Sequence, residues 1–365
     1  MRQLCIATMV SIGLVMMAAG LVSAQVEPGN GNVSLELSGH LNRALLIASD
    51  GDATKLYNVD NDSSSSRFRI VGLYKSNHSF TVGAQFEAQF ESNSTASVNQ
   101  NNRITDGGDF FGLRTAEIWF DTPFGVLSLG QGAMASDGSA EADLAGSSSL
   151  VAYSSVADIA AGILFFDDTL NGLTAITVGD TYLNLDGLGR NDRVRYDTPI
   201  FGPGLRLSAS FVTEDIYDFA LKFASDKIWG LEIAVAIAYA KSDDVDSRFS
   251  GSISLLHDSG FNVTFAGGLD DVDNDPADPN YWYIKVGYSK KLMPYGQTSI
   301  VIDFYSGEET QEVSDEAKSV GVGLVQNVDA IATEVYLGLR NYDLERDHTD
   351  LNHVFAVLTG ARVKF

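Results

Sequence analysis

Closely spaced basic residues are the side chains of this sequence with the clearest potential for electrostatic chemistry. Two pairs separated by a single residue and one further arginine occur in three segments: Arg67, Arg69, Arg193, Arg195 and Arg206. Residues two apart in a β-strand lie on the same face of a sheet. Together on one face, such charges could act on ions in an adjoining aqueous space, or each could pair with a neighbouring acid such as Glu87 or Glu91.

The same sequence contains no recognisable catalytic motif. The five histidines show no zinc-binding spacing, and no serine lies in the context of a nucleophile elbow. We therefore predict that the protein is not an enzyme and needs no cofactor. The formal net charge of −24 leaves no basic surface for phosphates, which argues against a nucleic-acid partner.

The N-terminal segment has the pattern of a secretory signal peptide. A short basic start is followed by an almost wholly apolar run from Leu4 to Val22, and small residues stand at the cleavage positions up to Ala24. We predict a signal peptide over residues 1–24, with a retained membrane anchor as the alternative. The single cysteine, Cys5, falls within this segment. Downstream of Gln25, no run approaches the roughly 20 apolar residues of a membrane-spanning helix.

The remainder of the chain has the period of β-strands. From Val33 onward, apolar residues recur at every second position, and no segment sustains helical spacing. The segments last about ten residues, longer than the roughly five or six residues of a usual soluble strand. About sixteen of them begin near Val33, Arg67, Phe80, Phe110, Val126, Asn191, Leu205, Tyr217, Leu231, Ser247, Phe261, Tyr281, Gly296, Ser319, Ile331 and His353.

The connections between these segments alternate in kind. Short turns such as "TPFG" and "MPYG" alternate with acidic and mostly longer connections such as "SDDVDS" and "SGEETQEVSDEAK". In an up-and-down sheet, this alternation places the short turns at one end and the long loops at the other. An even number of long antiparallel strands with this asymmetry predicts an all-β transmembrane barrel. The barrel must close, because open strand edges cannot be satisfied in lipid.

A secreted β-sandwich or adhesin is the alternative with the same period. It would need a bulky apolar face packed dry against a second sheet. Here the apolar face lacks the bulk of a core, and the segments exceed the length of sandwich strands. The barrel is therefore favoured.

The same alternation separates lumen-facing from lipid-facing residues. Arg67 and Arg69 alternate with apolar Phe68 and Ile70, so they are predicted to face the lumen. The other arginines of the three segments follow the same parity, as do Lys222, Arg248, Lys285 and Arg340. An arginine facing lipid near the bilayer centre would cost about 2 to 4 kcal/mol. Arg43 and Arg114 share the parity of apolar neighbours and are predicted to point outward.

Three stretches carry a resemblance to a known family. They are "LSGHLNRALLIASDGD", "SSRFRIVGLYKSNHSFTVGAQFEAQFES" and "FDTPFGVLSLGQGAMASDGSAEADLAG". Together with a C-terminal strand ending in Phe365, they resemble the Gram-negative general diffusion porins, trimeric sixteen-stranded barrels of the outer membrane. The resemblance covers essentially all of residues 25–365, which we therefore assign to one porin barrel.

This resemblance implies a water-filled channel for passive diffusion of ions and small hydrophilic solutes. It also implies that the third long loop, here residues 132–190, folds into the lumen and forms the constriction. Acids on that loop would stand across from the wall arginines and set a transverse field. The candidate acids are Asp137, Glu141, Asp143 and Asp158. A solute-specific sugar or phosphate channel is the alternative with the same architecture.

The resemblance further implies partners and an orientation. They are a homotrimer, the lipid and lipopolysaccharide of the outer membrane, and an assembly machinery that reads the terminal Phe365. The last strand should place its odd residues from Phe355 to Phe365 toward lipid and should pair with the strand near Val33, with both termini in the periplasm. The acidic loop at Asp270 could hold calcium, but it lacks the glycine and final glutamate of a familiar calcium loop, so a solvated loop is favoured.

Overall fold

A computed structural model describes residues 24–26, 32–76, 80–104, 111–147, 149–272 and 275–365. Residues 1–23 of the predicted signal peptide, the strand start predicted at Phe110, and His78 lie outside the described residues. Across the described ranges, no helix is long and apolar enough to cross a membrane.

The described residues form sixteen long wall strands. They are β1 (Val33–Ser49), β2 (Ser66–Lys75), β3 (Thr81–Phe90), β4 (Phe111–Thr122), β5 (Gly125–Ala133), β6 (Arg190–Asp197), β7 (Leu205–Phe211), β8 (Tyr217–Ile228), β9 (Leu231–Lys241), β10 (Val245–His257), β11 (Phe261–Val272), β12 (Asn280–Met293), β13 (Gly296–Glu308), β14 (Glu316–Val328), β15 (Thr333–Glu345) and β16 (Val354–Lys364). Each observed start lies within three residues of a predicted one.

The strands form one closed antiparallel barrel. Each strand pairs with the next in the chain, and β16 pairs with β1 from His40 opposite Lys364 to Ser49 opposite Phe355. Residues 43–49 of β1 also pair with an added strand, Thr54–Asp60, whereas residues 33–40 of β1 pair with β2. The predicted all-β barrel of about sixteen strands, closed between the last strand and the first, is confirmed.

Shorter elements accompany the wall. A strand at Ala24–Val26 pairs with β1, and the connection between β5 and β6 contains a hairpin of Leu164–Asp167 and Gly172–Thr177. A short helix, Val178–Thr181, follows this hairpin and begins with a capping box between Thr177 and Asp180. Single 3₁₀ turns lie at Asp62–Ser64, Val156–Ile159 and Asp329–Ile331.

The bulky apolar side chains on the outer surface of the wall are exposed, whereas the side chains that alternate with them are mostly buried inside the barrel. On β16, Phe355 and Val363 are exposed while the alternate residues Val354, Ala356 and Leu358 are fully buried. Exposed leucine, isoleucine, valine and phenylalanine residues recur in this way around the barrel. A β-sandwich would bury its bulky apolar face, so the sandwich alternative does not fit this structure.

Aromatic residues lie near both ends of the wall. At the end that carries the short turns, which we call the turn rim, Phe124, Trp229 and Tyr295 are 82%, 99% and 61% exposed. Phe355 and Phe365 are both exposed on the outer face of β16 and are separated by ten residues. With a tilt of about 40° and a rise of about 3.3 Å per residue, that separation spans roughly 25 Å, the height of an apolar band in lipid.

Candidate functional site

The connection between β5 and β6, which we call the inner loop (residues 134–147 and 149–189), lies against the inner wall of the barrel. Three serines on β10 hold it there. Ser252 donates to the carbonyl of Ser139 at 2.6 Å and accepts from the amide of Ala142 at 2.8 Å. Ser254 accepts from the amide of Leu144 at 2.9 Å, and Ser250 shares a hydroxyl contact of 2.6 Å with Ser139.

Charged side chains of the wall hold both the start and the middle of the inner loop. The amide of Ser136 donates to Asp218 on β8 at 2.8 Å. Further along, Asp143 forms a buried ion pair with Lys285 on β12, and the same ammonium donates to the carbonyl of Ala152 at 2.8 Å. Neither side chain of this pair is more than 2% exposed. Asp143 therefore anchors the loop to the wall and lies apart from the wall arginines.

The far part of the inner loop has an apolar core of its own inside the barrel. Residues of the loop pack against the inner faces of β1 and of β11 to β16, among them Leu150, Val151, Val156, Ile159, Ile163 and Phe165. Glycines of the wall make room for them: a Cβ added at Gly323 or Gly338 would lie 3.0 Å from Val151. This packing explains why the inward residues Val354, Ala356 and Leu358 of β16 are apolar.

The inner loop leaves the two sides of the lumen unequally covered. On β11 to β15, almost all lumen-facing side chains are buried. On β2 to β4 several remain partly exposed, including Arg67, Arg69, Gln85, Gln89 and Glu117. The accessible lumen is therefore displaced toward β2 to β4 and the strands beside them.

Three arginines converge on one carboxylate in this accessible part, and we call them with that carboxylate the basic patch (Arg67, Arg69, Arg114 and Glu87). Arg67 and Arg69 of β2 lie 3.6 and 3.5 Å from the carboxylate of Glu87 on β3. Arg114 of β4 donates to Glu87 at 2.9 Å and to Gln89 at 2.7 Å. Sequence reasoning had placed only Arg67 and Arg69 in such a group.

The outward orientation predicted for Arg114 is wrong, and a β-bulge is the reason. Glu87 pairs with Thr115, but the next residue, Ala88, pairs with Leu113. Arg114 is thus the extra residue of β4, and the local parity reverses there. Its guanidinium consequently points into the lumen. Arg43, in contrast, points outward as its parity predicts, where it pairs with Asp60 at 2.6 Å and donates to Asn58 at 3.2 Å.

The second arginine pair has a different environment from the basic patch. Arg193 is 3% exposed, and its guanidinium donates to Glu117 at 2.6 Å and to the carbonyls of Ala133 and Gly130. Arg195 makes a bidentate contact with Asp197 and donates to the carbonyl of Met134 at 2.9 Å. These two residues hold the junction of β5 with the inner loop.

The last predicted wall arginine, Arg206, lies at the second position of β7, near the turn rim. It is opposite Lys222 across the strand pair. Strand position therefore separates it from the three arginines of the basic patch.

Carboxylates of the inner loop gather near the accessible lumen, and we call them the loop acids (Asp137, Glu141 and Asp186). Asp186 accepts the amides of Gly138 and Ala140, both at 2.7 Å, and burial raises its pKa to about 6. Burial and the negative charges of Asp186 and Asp137 raise the pKa of Glu141 well above its usual range. Asp137 reaches Arg190, at the start of β6, at 3.6 Å.

The fourth predicted acid, Asp158, belongs to a separate group. It accepts hydrogen bonds from Tyr153 and from Ser155, the latter at 2.8 Å, and burial raises its pKa. Asp62 and Glu91, from the first two long connections, lie close to it. Burial, followed by the charge of Asp62, raises the pKa of Glu91 to about 7.

The arrangement can act on a solute only through charge and shape. Guanidiniums of the basic patch and of Arg190 stand on the wall, and the loop acids stand on the inner loop. Sequence reasoning missed Arg114, Asp186 and Arg190 as members of this site. The bulge beside Glu87 leaves no signal in the sequence, but Arg190 could have been considered because it ends the long connection. Around Asp270, which pairs with Arg248 at 2.8 Å, the described residues show no group of three or more possible metal ligands.

Comparison with known proteins places these features in a family. The family model for Gram-negative porins matches residues 9–347. No curated protein matches the sequence. Among solved structures, an anion-selective porin from Comamonas acidovorans is similar, with a TM-score of 0.60 and 14% identity over 91% of this chain and 100% of that chain.

Two further solved structures resemble the chain. OmpT, an outer membrane protein of Vibrio cholerae in its trimer form, gives a TM-score of 0.60 at 15% identity, covering 92% of this chain and 100% of that one. A triple mutant of the Rhodopseudomonas blastica porin gives 0.53 at 13% identity, covering 91% and 100%. At such identities, these structures support the fold.

Proposed function

The chain belongs to the Gram-negative porin family and forms a diffusion channel of the outer membrane, and we propose that ions and small hydrophilic solutes pass between the basic patch and the loop acids. One observation carries this proposal. Positive side chains of β2, β4 and β6 face negative side chains of the inner loop across the accessible side of the lumen, and Arg190 and Asp137 approach to 3.6 Å.

Opposed charges of this kind select by polarity. They set a field across the opening, which orders water and orients dipolar solutes. An apolar solute must disturb that water without a compensating interaction, so its passage is slowed. Passage itself needs no reaction, and the porin family and fold are generally those of non-enzymatic channels.

The outer wall near β1 and β16 supports a homotrimer as the assembled form. An exposed groove there is lined by Arg43, Asn58, Val335 and Thr359 among others. Arg43 is 45% exposed on the side chain and would be costly to present to lipid. Arg43 already pairs with Asp60, and contact with a second copy of the chain would shield this ion pair from lipid. The Vibrio cholerae structure is described in a trimer form.

The turn rim is the end we assign to the periplasm, with both chain termini there and the acidic loops outside. Phe365 exchanges backbone hydrogen bonds of 2.8 and 3.0 Å with Gly39 at this rim. We further propose that Phe365 is read by the assembly machinery, and that the acidic loops contact lipopolysaccharide through divalent cations.

Liposome swelling tests the proposed pathway. Vesicles containing the folded protein should swell in isotonic sugars at rates that fall as the sugar grows from a monosaccharide to a tetrasaccharide. Asp137→Trp should narrow the opening and slow the larger sugars most. Val313→Trp, on the exposed loop between β13 and β14, is the matched bulky control and should leave the rates unchanged. Equal swelling rates for D137W and wild type would show that solutes do not pass beside Asp137.

A further inference from the structure

The basic patch carries more positive charge than its own carboxylate can neutralise. Three guanidiniums share Glu87, at 3.6, 3.5 and 2.9 Å, so three positive charges and one negative charge leave two in excess. Arg193, Lys285 and Arg340, which are more deeply buried in the wall, each pair with one carboxylate, whereas Arg362 and Lys364 share Glu334. Of these groups, the basic patch has the largest excess of positive charge.

The neighbouring acids do not remove this excess. Burial raises the pKa of Asp62 and raises that of Glu91 to about 7, so Glu91 carries only part of its negative charge near neutral pH. Asp137 of the inner loop makes its ionic contact with Arg190, a further cation of the wall.

The donors of the basic patch are also accessible and incompletely used. The side chains of Arg67, Arg69 and Arg114 are 16%, 26% and 16% exposed, which leaves them open to the lumen on one side and desolvated on the other. The Nε of Arg69 lies 3.5 Å from Glu87 but makes no hydrogen bond. Planar guanidiniums bind oxyanions through paired, charge-assisted hydrogen bonds that are stronger when partly desolvated.

We propose that Arg67, Arg69 and Arg114 form a binding site for small dianionic oxyanions, of which sulfate is the simplest, with Glu87 as a built-in competitor for the same guanidiniums. This proposal rests on the proposed diffusion channel and names a solute class that the channel retains. The excess of two positive charges matches a dianion better than chloride. A retained dianion would occupy the accessible side of the lumen and slow the passage of other ions.

Block of single-channel current by sulfate tests the site. Sulfate is added to a chloride solution at constant ionic strength, and the concentration that halves the current is measured. Wild-type protein should be blocked in the low millimolar range. Arg69→Gln and Arg114→Gln should each raise the half-blocking concentration about tenfold, as expected for the loss of one charge-assisted contact. Glu87→Gln should lower it, because the competing carboxylate is gone.

Arg346→Gln is the matched control, since Arg346 lies in the connection between β15 and β16 and pairs with Asp315 and Glu312. R346Q loses one positive charge, as R69Q does, but its half-blocking sulfate concentration should equal that of the wild type. Normal chloride conductance with no sulfate block, or equal block in R69Q and R346Q, would overturn the anion site and leave the channel function standing. A folded protein that conducts no ions would overturn the channel function, and the site with it.

Discussion

Replacement of Lys285 by methionine tests how the inner loop is held. The Lys285 side chain is fully buried, pairs with Asp143 and donates to the carbonyl of Ala152 at 2.8 Å. Methionine keeps most of the volume but leaves the Asp143 carboxylate buried without its cation. Removal of one partner of a buried ion pair typically costs about 3 to 5 kcal/mol.

The protein can escape this cost by releasing the middle of the loop from the wall. At about 1.4 kcal/mol per factor of ten, the ratio of released to attached loop should rise between a hundredfold and several thousandfold. The barrel itself should persist, because its strands are held by their own hydrogen bonds. We therefore expect K285M to show larger and noisier single-channel currents and a lower melting temperature.

A double variant supplies the control. In Lys285→Met with Asp143→Asn no unpaired charge remains, and the asparagine oxygen can still accept the amide of Ala145, which now donates to Asp143 at 2.8 Å. The double variant should recover quiet currents and most of the thermal stability. K285M currents and stability equal to wild type, or a double variant as defective as the single one, would refute this account of the anchor.

Three further predictions concern the loop, the carboxyl group near it and the chain end. Ser252→Ala removes two hydrogen bonds to the inner loop and should lower the melting temperature by a few degrees and raise current noise; an unchanged trace would argue against the serine contacts. Glu91 has its pKa raised from 4.5 to about 7, so the folded state holds its proton more tightly than the unfolded state and stability should fall as pH rises between these values. Glu91→Gln should reduce that fall between melts recorded at pH 5 and 8, with the raised pKa of Asp186 accounting for part of the remainder, whereas an undiminished fall would assign it to other groups. Deletion of Phe365 should reduce the amount of folded protein in the outer membrane more than the conductance of each channel, and the reverse ranking would place its role in the pore.

The wall could be predicted from the sequence because lipid and lumen impose a strict period of two. Apolar residues such as Phe355 and Val363 alternate with inward ones, and sixteen strand starts followed from that pattern. The contacts among charged side chains in the lumen follow no such period. Arg114 could not be placed, because a bulge depends on which residues of β3 it opposes.

The inner loop accounts for the other differences. Its path decides that Asp137 meets a wall arginine, whereas Asp143, six residues later, meets Lys285 on the opposite side. It also covers the inward apolar residues Val354, Ala356 and Leu358 of β16. Long-range packing of an irregular segment is not encoded in local spacing, so these placements needed the structure.

Single-channel recording of the folded protein in planar bilayers tests the central claim most directly. We predict discrete conductance steps, in groups of three for a trimer, that decrease when a cysteine in place of Asp137 is modified by a bulky thiol reagent. A cysteine in place of Val313, on the exposed loop between β13 and β14, should have no such effect. Absence of any conductance from correctly folded protein, or equal sensitivity of the two cysteine variants, would contradict the account.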